Sequence, residues 1–349
     1  MTEEKELWER LREADKPIVL YGMGNGADKV LDHLEELSIP VSGVFASDGF
    51  VRGKSFRGFQ VCSYGEAKEK FGDMIVLVCF GSSRPEVLEN IRRIAGEQEL
   101  YAPDVPVYGS GVFDRAYYNA HRRELDTVRD MLCDEQSRLT FESVISYKLT
   151  GRTEYLERCQ TSTEEAFENI LCLGEKERYL DLGAFTGDTV GEFLRFTGGR
   201  YESITAVEPD KKSFARLQKA TARLERCRLV PCGVSDRYGR GSFQMRGGRN
   251  SAASQVGEEI TFDSVDNITL GRQVSYIKMD VEGQEAAAIR GATATIRRFK
   301  PKMLVSAYHR NEDIYALPLQ VKELCPEYKV YMRHYPYVPA WDMNYYFVL

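Results

Sequence analysis

The stretch Tyr179-Leu180-Asp181-Leu182-Gly183-Ala184-Phe185-Thr186-Gly187-Asp188-Thr189 decides the fold. An apolar strand runs into a turn with two glycines, then into a helix with Val190, Phe193 and Leu194 on one face, ended by Gly198-Gly199. Strand, glycine turn and helix in that order open a parallel α/β sheet. The glycines allow close backbone approach, the helix start offers free N–H groups and the positive end of a dipole, and Asp181 adds a carboxylate.

Downstream, the same logic repeats. Ser203 to Val207 reads as the next strand, closing in Glu208-Pro209-Asp210, with a helix through Phe214, Leu217, Thr221 and Leu224 behind it. Glu208 therefore stands at a strand's carboxyl end, where open α/β sheets bind ligands, and its carboxylate can accept from both hydroxyls of a ribose. Arg228 to Cys232 is the third strand, with Gly233-Val234-Ser235-Asp236 as its exit and Asp236 placed to accept from an adenine amino group. The glycine-rich excursion Gly239 to Gly257, containing Asn250-Ser251-Ala252-Ala253-Ser254, reads either as a loop over the ligand or as a plain hairpin loop. Val274 to Met279 is the fourth strand and Met303 to Ser306 the fifth. They end in Asp280-Val281-Glu282-Gly283-Gln284-Glu285 and in Tyr308-His309-Arg310, which puts a carboxylate and an imidazole in one cleft. Tyr328 to Tyr335 and Asn344 to Leu349 form a terminal antiparallel hairpin.

Upstream, Pro17 to Tyr21 is a buried strand followed by Gly22-Met23-Gly24-Asn25-Gly26-Ala27 and a helix with Val30, Leu31 and Leu34 on one face. This has the form of a dinucleotide-type unit with Asp48 near a ribose position, yet the same turn also serves simply to pack strand on helix. Met74 to Phe80 is another strand; Lys54 and Arg57 read as a solvated loop or as phosphate contacts. Between the two units, Leu125, Val128 and Leu132, and then Leu139, Val144, Ile145 and Leu149, mark helices, the second capped by Asp134 or Ser137. The expected organisation is a Rossmann-like domain over 1–110, a helical connector over 111–174 and a second Rossmann-like domain over 175–349.

The 349 residues allow two or three domains, and 43% hydrophobic with 29% charged residues is the balance of a globular protein. A net charge of −6 argues against a broad nucleic-acid surface. The N-terminus has no signal-peptide pattern, and the longest apolar run, Met74 to Phe80, is far below the roughly 20 residues of a membrane span. A cytoplasmic protein is expected, its eight cysteines buried thiols rather than disulfides; self-association into a homo-oligomer stays open.

The second half resembles the FkbM family of S-adenosylmethionine-dependent methyltransferases, class I by fold. The resemblance rests on Asp181 to Thr189, Val207-Glu208-Pro209-Asp210, the Ile277-Lys278-Met279-Asp280-Val281-Glu282-Gly283-Gln284-Glu285 block with Gly291-Ala292, and Lys300-Pro301-Lys302 leading to Tyr308-His309. The N-terminal unit and the helices before residue 175 are similar to those of longer bacterial members. The resemblance implies S-adenosyl-L-methionine as cofactor, with Asp181, Gly183, Ala184, Phe185, Thr186 and Gly187 around its methionine part, Glu208 on the ribose and Asp236 by the adenine. It also implies methyl transfer to oxygen on a sugar-like or glycoconjugate hydroxyl. For catalysis His309 is one candidate, as the base that takes the acceptor proton beside Asp280. The alternative is a divalent ion held by Asp280 and His309 with Glu282 or Asp313. A purely structural His309 is the third reading; His334 in the terminal hairpin is a second candidate base or a structural histidine, and His121 a surface or linker one. Two rival functions remain: a non-catalytic nucleotide-binding or regulatory protein, and a nucleotide-sugar or NAD-dependent enzyme run from the N-terminal domain. No Tyr-x-x-x-Lys pair follows Gly22-Met23-Gly24 at a suitable place.

Overall fold

The computed structural model describes residues 4–51, 53, 55–243 and 258–349. The chain folds into two compact units, each an α/β sheet of largely parallel strands. The first comprises Met1–Arg122, Arg138–Gln160 and His334–Asp342; the second comprises Arg123–Ser137, Thr161–Arg333 and Met343–Leu349. Residues of the 111–174 stretch are therefore shared between the two.

In the first unit the strands are Ile18–Tyr21 (β1), Gly43–Phe45 (β2), Ser55–Phe56 (β3), Phe59–Cys62 (β4), Ile75–Val78 (β5) and Glu99–Tyr101 (β6), ordered β3-β4-β2-β1-β5-β6. β1 pairs parallel with both β2 and β5. Ile-Val-Leu-Tyr and Ile-Val-Leu-Val are apolar at every position because both faces of these strands are covered. The helix Asn25–Glu36 lays Ala27, Val30, Leu31 and Leu34 on this core. A Cβ at Gly26 would fall inside contact distance of the Cys79 carbonyl oxygen, so the glycine-rich turn has a packing reason that needs no ligand. Arg57 is committed to acidic partners on that helix, Asp32 at 2.7 Å and Glu35 at 3.4 Å, rather than to a phosphate. Asp48 opens the short helix Asp48–Val51; Lys54 lies outside the described residues.

In the second unit the main sheet contains Arg178–Leu182 (β7), Ser203–Val207 (β8) and Cys227–Val230 (β9). A smaller sheet is formed by Gly233–Ser235 (β10), Gly239–Phe243 (β11) and Glu258–Ser264 (β12). Tyr276–Met279 (β13), Lys302–Ser306 (β14), Lys329–His334 (β15) and Met343–Val348 (β16) complete the main sheet, in the order β15-β16-β14-β13-β7-β8-β9. The succession runs one way through β7, β8 and β9 and the other way through β13 and β14. A switch point therefore lies beside β7, and the crevice at its carboxyl end is where such sheets take ligands. β16 runs antiparallel to β14, the terminal addition read from the aromatic runs.

The small sheet departs from the expected exit loop. The chain breaks after Val230, and Gly233–Ser235 leaves the main sheet to pair with β12. The excursion starts as strand β11, antiparallel to β12; residues 244–257, with Asn250 to Ser254, lie outside the described residues. After Asp280 the chain forms two helices, Glu285–Arg290 and Thr293–Phe299.

The helix Asp188–Phe196 is docked by aromatic stacking. Tyr179 of β7 stacks on its Phe193 at 4.4 Å and on Tyr276 of β13 at 4.9 Å. Full burial of each such ring contributes about 1.5–3 kcal/mol. That layer fixes the helix start, and with it the turn that precedes it. The helix Glu135–Thr150 is capped by Asp134, whose Oδ1 accepts from Ser137 N–H at 2.7 Å, which settles the cap left open above. All eight cysteines are free thiols.

Candidate active site

β7 ends at Asp181 and Leu182, and Gly183 turns the chain back with φ +84°. A Cβ at Gly183 would collide with the Asp280 carbonyl oxygen, so only glycine lets the two strand ends approach this closely. Phe185 follows with φ +45°, an exposed aromatic in the left-handed region. Its N–H donates to Glu208 Oε2 at 2.9 Å while Asp210 N–H donates to Oε1 at 2.8 Å. The Glu208 carboxylate is thus fixed between two backbone donors, with one lone pair on each oxygen still available.

A cavity of about 350 Å³ opens at this point. Gly183, Phe185, Glu208, Lys278, Asp280 and Glu282 line it, with Val234 and Phe262 of the small sheet as apolar wall. Asp181, Ala184, Thr186 and Gly187 build the turn without lining the cavity; Ala184 is buried, and Gly187 N–H returns to the Ala184 carbonyl at 2.8 Å. Asp236 also stands outside the lining, beside Arg290 at 3.6 Å. His309 is behind the wall, not in it.

The electrostatics follow from burial. Glu208 is only 4% exposed, and burial pushes its carboxyl up to about 7, against its two backbone donors and Lys278. Asp181 is 0% exposed: Oδ2 accepts from Thr189 Oγ1 at 2.5 Å, and Oδ1 is buried with no partner of hydrogen-bond geometry. Burial raises its pKa, while Lys278 opposes the rise. Lys278 donates to the Gly183 carbonyl at 3.2 Å and stands 3.6 Å from Asp280 Oδ2. Burial would raise Asp280, but Lys278, His309 and the Tyr308 hydroxyl outweigh it and hold the carboxyl below the ordinary range.

Behind Asp280 lies a second layer. His309 is 1% exposed, with Nε2 3.6 Å from Asp280 Oδ1 and 3.7 Å from Glu282 Oε2, and Nδ1 3.0 Å from Glu285 Oε1. Burial alone would lower its pKa; Glu285, Asp280 and Glu282 together raise it to about 10. Glu285 also accepts from Val281 N–H at 2.9 Å and Gly283 N–H at 3.4 Å, holding the turn on which Glu282 sits with φ +56°. Asp313, nearly inaccessible, is pushed up to about 7 by burial and then by Glu285. His334 is buried elsewhere, in the first unit, and burial pulls it down to about 4.

Sequence reasoning missed three groups here: Lys278, Tyr308 and Glu285. Each stands inside a quoted block, and Lys278 carried a signal. A lysine between Ile277 and Met279 in an otherwise apolar central strand needs a buried anion, and two acids flank it in space.

Residues 181–339 match the family model described as the methyltransferase FkbM domain. No curated protein matches the chain. Among solved structures, the methyltransferase FkbM from Methylobacillus flagellatus KT is similar over 98% of this chain and 92% of its own, with TM-score 0.74 and 21% identity. Weaker likenesses include Aeropyrum pernix fibrillarin with natively bound S-adenosyl-L-methionine, at TM-score 0.33 and 18% identity over 50% of this chain and 69% of that one. Another is precorrin-6y C5,15-methyltransferase from Geobacter metallireducens GS-15, at TM-score 0.33 and 10% identity over 53% and 84%. Residues 181–339 are thus similar to the FkbM methyltransferase domain, and the fold over nearly the whole chain to that of the Methylobacillus flagellatus protein.

Proposed function

We propose that this methyltransferase uses S-adenosyl-L-methionine and methylates a hydroxyl oxygen on a sugar-like or glycoconjugate acceptor, in the cytoplasm. The observation that carries the cofactor is the Glu208 carboxylate, held by two backbone N–H groups in the wall of a cavity at the sheet's switch point. Its two remaining lone pairs match the vicinal hydroxyls of a ribose. The residues present also fit the rest of the group. The cavity volume falls within the range of about 300–1,000 Å³ usual for such ligands, and Asp181, enclosed behind the turn, is proposed to hold that turn toward the methionine part. Asp236, beyond the lining, is proposed at the adenine edge.

When bound, the cofactor supplies an electrophilic methyl group. The chain's own residues then have two tasks, alignment and exclusion of water, and alignment alone is worth up to about 7–11 kcal/mol. Phe185 stands exposed at the cavity, suited to cover it. Asp280 is the lining carboxylate kept ionised by Lys278, and it is proposed to accept the hydrogen bond of the acceptor hydroxyl. His309, behind it and held protonated by its acidic neighbours, is proposed to hold Asp280 in place. A polar wall of Glu208, Lys278, Asp280 and Glu282 suits a hydroxylated acceptor.

Calorimetry with S-adenosylhomocysteine tests the reading. Binding by the intact chain that is lost in Glu208→Ala is expected; absence of binding, or binding indifferent to that substitution, refutes it.

A further inference from the structure

The helix Lys211–Thr221 starts at the cavity wall and carries an unanswered row of positive charge. Ser213, Leu217 and Thr221 form its buried face. On the opposite face stand Lys212, Arg216 and Lys219, with Arg223 just beyond the helix end, an i, i+4, i+7, i+11 row. All four are exposed, and none has an ion pair or hydrogen bond with a described residue. Exposed cations elsewhere in the same unit are answered, Arg195 by Glu164, Arg200 by Glu175 and Lys300 by Glu327. The row also works against its own helix. Its members are like-charge neighbours, and Lys211 and Lys212 occupy a first turn that holds no acid, where the dipole favours anions. A chain with 53 acidic against 47 basic residues has counter-charges to spare, yet Glu225 is the single acid between Lys211 and Arg226. A one-sign field of this kind concentrates a partner of the other sign.

We propose that Lys212, Arg216, Lys219 and Arg223 bind an acidic glycan, a sugar chain bearing carboxylates or phosphates, whose hydroxyl-bearing end reaches the cavity. Three observations choose that occupant. The row begins at the cavity: Asp210 caps the helix and donates its N–H to Glu208 Oε1 at 2.8 Å, and both Glu208 and Pro209 line the cavity. From Lys212 to Arg223 the row extends about 17 Å, the reach of a chain rather than of a single anion. At the surface between the cations stand Ala215, Gln218, Ala220 and Ala222. They offer no aromatic ring on which a nucleic-acid base could stack and no large apolar side chain to enter a bilayer. That the glycan is the methyl acceptor rests on the proposed function; the binding of its anionic groups by the row does not.

The test titrates the full-length protein by calorimetry, at physiological ionic strength, with an oligogalacturonate. Beside it run the same oligosaccharide with its carboxyls reduced, polyglutamate, and vesicles of phosphatidylglycerol in phosphatidylcholine. The oligogalacturonate is expected to bind most tightly, more weakly as salt is raised, and to protect the amides of 208–223 from exchange. Replacing all four cations together, Lys212→Gln, Arg216→Gln, Lys219→Gln and Arg223→Gln, should lower that affinity by about thirtyfold. The control Arg297→Gln with Arg298→Gln, two exposed cations on the helix Thr293–Phe299, leaves it unchanged. Since neutralising the row removes repulsion, the fourfold variant should melt no lower than the parent, which reports that it folds. No oligogalacturonate binding, equal binding of the reduced oligosaccharide, or affinity indifferent to the fourfold variant overturns the proposal. Tighter binding of polyglutamate or of the vesicles overturns it too, and assigns the row to an acidic protein or a lipid surface. Calorimetry with S-adenosylhomocysteine on the same samples separates the two claims. Cofactor binding without glycan binding overturns the role of the row alone; glycan binding without cofactor binding upholds the row and refutes the cofactor assignment.

Discussion

Glu208→Gln tests how the cavity is built. In the native protein, burial pushes the carboxyl from an ordinary 4.5 up to about 7. A rise of that size means that ionising Glu208 in the folded chain costs about 3 kcal/mol more than in the unfolded one. The sign follows directly. Below 4.5 both states are protonated and nothing is lost; between 4.5 and about 7 the native state binds the proton more tightly, so stability falls as pH rises; above 7 the whole cost is present. Glutamine stays neutral throughout. It leaves one of the two N–H donors, Phe185 or Asp210, without its carboxylate oxygen, a loss of about 1–2 kcal/mol. The stability of Glu208→Gln relative to the parent should therefore climb by about 3 kcal/mol between pH 4.5 and 8, ending about 1–2 kcal/mol above it. Both tryptophans, Trp8 and Trp341, lie in the first unit, so their fluorescence does not report on this site. Amide exchange over 203–210, in parent and variant across the pH series, does. Parallel profiles for the two proteins would refute the argument. The same proton competes with a ribose: affinity of the parent for S-adenosylhomocysteine should fall about tenfold per pH unit below 7, whereas the weaker binding of the variant stays flat.

Three further outcomes are expected. Gly183→Ala forces a Cβ against the Asp280 carbonyl in a left-handed conformation, and should cost more than about 3 kcal/mol in denaturant unfolding and remove cofactor binding. Arg333→Met strands Asp134 and Glu165, which face the guanidinium at 2.7 Å each but are themselves part exposed; a loss of about 2–3 kcal/mol in amide exchange of the second unit is expected. Lys148→Met leaves Asp104 buried opposite a thioether in place of a 2.6 Å ion pair, and should destabilise the first unit by about 3–5 kcal/mol, read by tryptophan fluorescence.

Much of the fold was legible because the strands are short, apolar and bounded by glycine or acid. Ile18–Tyr21, Ile75–Val78 and Tyr276–Met279 all lie within the segments their composition marks. The small sheet was not, because Gly233–Ser235 is only three residues long and pairs with Glu258–Ser264, far along the chain, so no local periodicity announces it. At the site, Glu208 and Asp280 were readable as acids at strand ends, and both line the cavity. Asp236 was equally well placed in sequence but stands beside Arg290, since the strand that carries it has left the main sheet. Glu285 went unread because a helix's first acid ordinarily faces water, and only the folded chain shows it fully enclosed.

Arg333 has a consequence for how this α/β module can be moved between proteins. The guanidinium is 2% exposed, and both its carboxylate partners, Asp134 and Glu165, precede the residue where the second α/β pattern begins. Ser137, whose hydroxyl accepts from Arg333 Nη1 at 2.8 Å and from Met332 N–H at 2.9 Å, precedes it too. A gene fragment opening at residue 175 would retain every cavity residue and still expose the last strands of its sheet, leaving a cation with no counter-charge. The portable piece is discontinuous: its N-terminal border lies in the helices before residue 137, and grafting at the apparent start of the pattern would sever the module from its own clasp.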